Sequence, residues 1–191
     1  MAQPSLDRDY FARVYADAAD PWNFATSPYE NEKYRATISA LGEQRFGSGF
    51  EIGCSVGVLT AMLATRCDAL LAIDIDERAL EAARGRCADV PNVRFERMTF
   101  PHDAPAATFD LIIMSEVAYY WSDEDLAAAV DFAAGAAAGG GTLELVHFLP
   151  KVEDYVRDGD AVHAAFLRDA RFAPLRAVRA QQYRIDVLRV R

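Results

Sequence analysis

Between residues 50 and 148 the chain carries five short apolar runs, Phe50–Ile52, Ala69–Ile73, Val93–Phe95, Leu111–Met114 and Leu143–Phe148. Helical stretches near Val58–Arg66, Arg78–Cys87 and Asp123–Ala137 separate them. A strand with no polar alternate positions has both faces buried, and strands of that kind belong to parallel sheets covered by helices. The alternation therefore predicts an α/β domain. Two further strand-like runs, Phe172–Ala180 and Gln182–Val190, adjoin with almost nothing between them. That spacing is too short for a parallel crossover and predicts an antiparallel hairpin ending the sheet. Arg184, Arg189 and Arg191 in the last run read as the solvated edge of a strand. The Ala/Gly-rich Ala133–Gly141 reads as the end of a helix and its turn.

The first 43 residues have a different pattern. Leu6, Tyr10, Phe11, Val14 and Tyr15 recur at helical spacing, and Asp20-Pro21 stops that helix, because proline disfavours helical geometry in its predecessor. A second helix opens at Ser27-Pro28-Tyr29-Glu30: Ser27 caps, Pro28 suits the first helical position, and Glu30 completes a capping box. Gly42 closes it. The expected organisation is a helical lid over 1–43 and a ligand-binding domain over 44–191.

Composition narrows the partners. The net charge of −9 repels phosphate backbones, and no basic run offsets it, so nucleic acid is not an expected partner; a cation would suit this field. Three cysteines without paired spacing suggest a reducing, cytoplasmic setting. The leading residues lack a secretion pattern, and no run of about 18 apolar residues predicts a membrane span. His102, His147 and His163 are not at ligand spacing, so no metal is expected. The oligomeric state stays open.

The most informative segment is Glu51-Ile52-Gly53-Cys54-Ser55-Val56-Gly57, which follows the first strand and opens a helix. Small residues there let backbone N–H groups approach a ligand, and the helix N-terminus adds partial positive charge. A dinucleotide loop would place a third glycine where Val58 stands, which disfavours a nicotinamide cofactor. The spacing fits a tight turn beneath an amino acid and a ribose. Asp74 ends the second apolar run 21 positions after Gly53, where a carboxylate can accept both ribose hydroxyls. Asp76 is the better cap for the following helix. Adenine then belongs between Ile75 and the end of the third strand, at Met98 and Thr99.

These residues resemble those of class I S-adenosylmethionine-dependent methyltransferases, and specifically the NodS-like family of nodulation N-methyltransferases. The likeness covers most of the chain. Its marks are Asp20-Pro21-Trp22, Ser27-Pro28-Tyr29-Glu30, Lys33-Tyr34, the Glu51–Thr60 loop, Arg66-Cys67-Asp68 and Ala72-Ile73-Asp74-Ile75. Phe109-Asp110-Leu111-Ile112, Ser115-Glu116-Val117, Tyr119-Tyr120, Gly140-Gly141 and Val146-His147 complete the set. The resemblance implies a Rossmann-like α/β fold: a mostly parallel seven-stranded sheet with an antiparallel C-terminal hairpin, and the cofactor at the carboxyl ends of the strands. It also implies methylation of an amino sugar nitrogen. Two departures stand out: Thr99 replaces the acid common after the third strand, and Gly139 replaces a proline before the fifth. The chain has little room for an insert that would grip a long oligosaccharide, so a smaller amino sugar or other small amine is the better acceptor.

S-adenosylmethionine is thus the expected cofactor, held by Glu51, Gly53, Cys54, Ser55, Gly57, Asp74, Ile75, Met98, Thr99, Ser115 and Tyr29. An amine must be neutral to attack the sulfonium methyl, which calls for a proton acceptor. Glu116, after the fourth strand, could hold a substrate ammonium and take its proton. His147, ending the fifth strand, is the alternative base, and Tyr119 completes the catalytic candidates. Trp22, Tyr34, Tyr120 and His163 are the acceptor-binding candidates, because aromatic faces stabilise cations. Two other functions stay open: an O-methyltransferase with His147 as base, and a protein that binds the cofactor without catalysis.

Overall fold

The computed structural model describes residues 3–137 and 139–191; Met1 and Ala2 of the leading segment and Ala138 of the Ala/Gly-rich turn lie outside them. Seven strands form one sheet in the order β3-β2-β1-β4-β5-β7-β6. The strands are β1 (Phe46–Ile52), β2 (Cys67–Asp74), β3 (Val93–Arg97), β4 (Leu111–Ser115), β5 (Thr142–Phe148), β6 (Phe172–Arg179) and β7 (Tyr183–Val190). The helices are α1 (Arg8–Asp17), α2 (Pro28–Ala40), α3 (Val58–Leu63), α4 (Glu77–Arg86), α5 (Asp123–Ala136) and α6 (Gly159–Leu167).

The five apolar runs pair in parallel, and every residue of β4 is buried, as expected for a strand covered on both faces. Phe50, Ile52, Ile112, Met114, Leu143 and Leu145 meet α5 and α6 on one face. Leu70, Leu111 and Ile113 meet Tyr34 of α2 with Leu59 and Leu63 of α3 on the other. The C-terminal hairpin does not simply extend the sheet: β7 inserts between β5 and β6, antiparallel to both. The arginines of β7 therefore lie on an interior strand, and β6 is the edge. Arg184 is held by Asp160 and Asp186.

The two leading helices divide the labour expected of a lid. α2 is part of the sheet's covering, with Ala40 packed on Val146 and Ile185. α1 buries only Tyr15 and lies across the carboxyl ends of the strands. Ser27 caps α2 through Glu30 N–H, but the Glu30 carboxylate turns to Lys33 instead of closing a capping box. The turn at Gly42 has φ +70°, as a helix-ending glycine requires. No helix among the described residues is long and apolar enough to cross a membrane.

Candidate active site

The carboxyl ends of β1, β2, β3 and β4 open into one cavity of about 560 Å³, roofed by α1 and the segment that joins it to α2. At the β1 end the loop turns sharply. Gly53 has φ +77°, and a Cβ there would stand 2.1 Å from Val117 Cγ1. The N–H groups of Gly53 and Cys54 both donate to Ile73 O at 2.8 Å, and that of Gly57 donates to Cys54 O. These donors are thus spent on β2 and on the loop itself, and the turn offers a ligand shape and space, a correction to the expected row of free N–H groups. Gly57 does not line the cavity; a Cβ there would meet Ala83 Cα at 2.9 Å, so its role is to let α3 start against α4.

Asp74 faces the cavity at the end of β2. Its two oxygens accept from Ser55 N–H at 2.8 Å and Asp76 N–H at 3.0 Å, and Asp76 caps α4 through Arg78 N–H. Burial pushes the Asp74 carboxyl up to about 6, against the pull of those N–H groups. Glu51, at the end of β1, is buried, and its Oε2 has no hydrogen-bond partner among the described residues; burial lifts it to about 7. Ile75, Met98, Thr99, Ser115 and Cys54 line the same end. Thr99 N–H donates to Asp103, which orders the turn after β3.

The β4–β5 end is built differently. Glu116 has φ +57°, a conformation that costs a non-glycine residue of order 1–3 kcal/mol and persists only when its surroundings enforce it. Three contacts do so. Lys33 Nζ lies 2.6 Å from Glu116 Oε1, while Oε2 accepts from Tyr119 Oη at 2.6 Å and from Phe148 N–H at 3.1 Å. Lys33 also reaches Glu30 at 2.9 Å and sits 5.1 Å from the centre of the Tyr29 ring. Burial alone would discharge Lys33, but Glu116 and Glu30 outweigh it and raise its affinity for the proton. One cation between two carboxylates leaves the cluster one negative charge in excess. Glu116 therefore lines the cavity with Oε1 held by Lys33 and Oε2 by Tyr119 and Phe148 N–H.

His147 and His163 are not brought to the cavity. Both are fully buried behind it. Ala118 N–H donates to His147 Nε2 at 3.3 Å, which places the His147 proton on Nδ1, 3.2 Å from His163 Nε2. The His163 proton is then on Nδ1, facing Asp186 Oδ2 at 2.6 Å. The chain is satisfied with both rings neutral, and burial lowers the pKa of each. Alternation puts His147 on the opposite face of β5 from Val146, where it packs against His163 of α6. A base for the acceptor must lie elsewhere.

Of the other expected residues, Trp22, Tyr29, Tyr34, Tyr119 and Tyr120 all line the cavity. Tyr15, Phe100, Phe148 and Tyr155 line it without having been expected there. Tyr15 carried a signal, since it follows Phe11 by four positions on the apolar stripe of α1. Tyr155 carried none, because it sits in the irregular loop between β5 and α6.

A seven-stranded sheet in this order, with β7 reversed and a glycine turn and strand-end acid beside one cavity, defines the class of Rossmann-like S-adenosylmethionine-dependent methyltransferases. The family described as nodulation protein S matches residues 6–143, and the chain belongs to it. Nodulation protein S of Bradyrhizobium diazoefficiens is 32% identical over 105 residues, 54% of this chain and 50% of that protein. The chain thus spans about half the length of such curated relatives. An uncharacterized methyltransferase of Mycobacterium tuberculosis is 30% identical over 129 residues, 68% of this chain and 61% of that one. The crystal structure of the N-methyltransferase NodS from Bradyrhizobium japonicum WM9 with S-adenosyl-L-homocysteine superposes with a TM-score of 0.85, at 25% identity. It covers 96% of this chain and 99% of that one.

Proposed function

We propose that this protein transfers a methyl group from S-adenosylmethionine to the nitrogen of a small amine, an amino sugar or related metabolite. The single observation that carries the reading is the buried Glu30–Lys33–Glu116 cluster with its excess negative charge among aromatic rings. The residues present suit the cofactor. Glu51 Oε2 is a buried acceptor without a donor, matched to an amino group, and Asp74 is a strand-end carboxylate matched to ribose hydroxyls. Ile75 and Met98 supply apolar surface for adenine, and Gly53, Cys54, Ser55 and Ser115 shape the floor beneath it. When bound, the cofactor supplies an electrophilic methyl on a sulfonium leaving group.

What the chain adds is placement and charge. Asp7, Glu30, Glu51, Asp74, Glu116 and Asp125 face the cavity against Lys33 and His102, a field that favours a cationic cofactor and an ammonium. Tyr29, Tyr34, Tyr119, Phe148 and Tyr155 offer faces that hold an ammonium and the C–H face of a sugar ring. The roof of α1 excludes water and aligns the nucleophile. The NodS resemblance supports nitrogen as the acceptor. An oxygen acceptor deprotonated by His147 is disfavoured, because that ring is buried and committed to its neighbours.

The test is a mass-spectrometric screen of amines, amino sugars and alcohols with purified protein and S-adenosylmethionine. A gain of one methyl group on nitrogen is expected. Methyl on oxygen overturns the amine reading, and cofactor binding without transfer across the panel overturns catalysis.

A further inference from the structure

Lys33, Tyr119 and Phe148 N–H already hold Glu116, and the cluster around it is one proton short of neutrality. A route to it exists. Tyr155 Oη lies 3.3 Å from Tyr119 Oη, and the two rings stack at 4.0 Å with 12° between their planes. Tyr119 spends its own O–H on Glu116 at 2.6 Å, so the bond between the two hydroxyls must run from Tyr155 to Tyr119. That leaves the Tyr155 oxygen with unused acceptor capacity, on a residue that lines the cavity. The Tyr119 ring is buried and its phenol is held well above its usual pKa, by burial first and then by Glu116, so it passes a proton without becoming phenolate.

We propose that Tyr155 is the group that receives the acceptor's proton, as the cavity end of a wire Tyr155–Tyr119–Glu116. The inference rests on the amine reading above and names its proton acceptor. The acceptor N–H⁺ gives its proton to Tyr155 Oη, Tyr155 gives its own to Tyr119 Oη, and Tyr119 gives its own to Glu116 Oε2. The nitrogen is left neutral with its lone pair, Glu116 becomes a carboxylic acid, and Lys33 and Glu30 remain a neutral pair. The N–C bond then forms as the S–C bond breaks, and the wire runs in reverse when product leaves. The charged groups facing the wire are Glu116, Lys33 and Glu30. Tyr120 meets Tyr155 edge-on at 5.1 Å, neutral His147 meets Tyr119 at 5.4 Å, and Asp154 beside Tyr155 is in contact with Tyr10. The loop is held in place by Val156 N–H on Tyr119 O at 3.0 Å and Arg157 on Trp121 O at 2.7 Å. Tyr155 lies beyond residues 6–143, the part that matches the family.

Tyr155→Phe keeps the stacked ring and removes only the hydroxyl. Two measurements on the whole chain test it. With tyrosines labelled at the ring carbon bearing oxygen, the Tyr119 hydroxyl proton is followed by NMR. Its exchange with water should slow at least tenfold in Tyr155→Phe and stay fast in Tyr183→Phe, which alters a ring outside the cavity. Rates on an amine that the wild type methylates should fall about 100-fold at pH 7 in Tyr155→Phe. The deficit should shrink toward the amine's own pKa, with affinity for S-adenosylhomocysteine unchanged. Unaltered exchange, or a rate–pH profile identical to wild type, overturns the wire. If the wild type methylates no amine, the amine reading fails and takes the role of Tyr155 with it, whereas unaltered exchange in a protein that does methylate an amine overturns the wire alone.

Discussion

Tyr15 Oη lies 2.7 Å from Ser55 Oγ, so the buried side chain of α1 is tied to the loop that follows β1. The other end of the same segment is tied as well: Leu6 N–H donates to Tyr120 O at 2.9 Å, and Ser5 Oγ accepts from Ser122 N–H at 2.7 Å and bonds Asp125. Residues 5–15 form a strap pinned at both ends over the cavity.

Tyr15→Phe removes one pin while keeping the ring packed on Trp22. The loss of one hydrogen bond of about 1 kcal/mol should speed release of S-adenosylhomocysteine roughly fivefold. Stopped-flow release and hydrogen exchange of α1 read it. Unchanged release, with α1 exchanging as in wild type, would show that the strap does not gate the cavity.

Asp74 sets a pH limit on ligand binding. If ribose hydroxyls donate to Asp74, they need the ionised carboxylate, whose pKa burial has raised to about 6. Affinity for S-adenosylhomocysteine should therefore be level above pH 7 and fall as pH drops below about 6, approaching tenfold per unit. Asp74→Asn should cost at least tenfold, about 1.4 kcal/mol, at pH 7.5 and flatten the profile. Calorimetry from pH 5 to 8 measures both, and equal affinity for the two proteins would remove the ribose assignment.

Lys33 holds two carboxylates that have little access to water. Lys33→Met leaves Glu30 and Glu116 facing each other without a cation, a loss of about 3–5 kcal/mol by comparison with other buried pairs cut on one side. Adding Glu116→Gln should recover part of it, because the second variant removes the charge left unpaired. Urea unfolding of the two single variants and the double variant decides; strictly additive losses would contradict the coupling.

Glu144 in the middle of β5 is fully buried, and neither carboxyl oxygen has a hydrogen-bond partner among the described residues. It shares a strand face with Val146, beneath α2, where Arg66 and Arg176 spend their guanidiniums on carbonyls at the end of that helix. Burial raises its pKa well above the usual value, against the weaker pull of Arg176 and Arg66. A raised carboxyl pKa contributes stability that is present below the unfolded-state value and lost as pH rises through the folded one. Glu144→Gln should thus raise the urea midpoint at pH 8 and change it little at pH 4.5. A midpoint lowered equally at both would show that the carboxylate is satisfied after all.

Much of this was legible before any coordinates. Ala72-Ile73-Asp74 announces a buried strand ending in an acid, and Gly53 announces a turn that needs positive φ, because both requirements are met within a few neighbouring residues. His147 was legible only as a histidine at the end of an apolar strand. Whether such a ring meets a ligand or another buried side chain depends on which face of the strand it takes and on what α6 presents there.

Local chemistry along the chain therefore determined the α/β class, the glycine turn, the strand-end acid and the caps of the helices. Tertiary structure decided that β7 inserts beside β5, that His147 and His163 close a neutral chain on Asp186, and that Lys33, Glu116, Tyr119 and Tyr155 share one site. The physical reason is distance in sequence: Lys33 and Glu116 are 83 positions apart, and Tyr119 and Tyr155 are 36 apart. Only packing of the whole sheet selects such partners, since nothing in the residues flanking each one specifies the other.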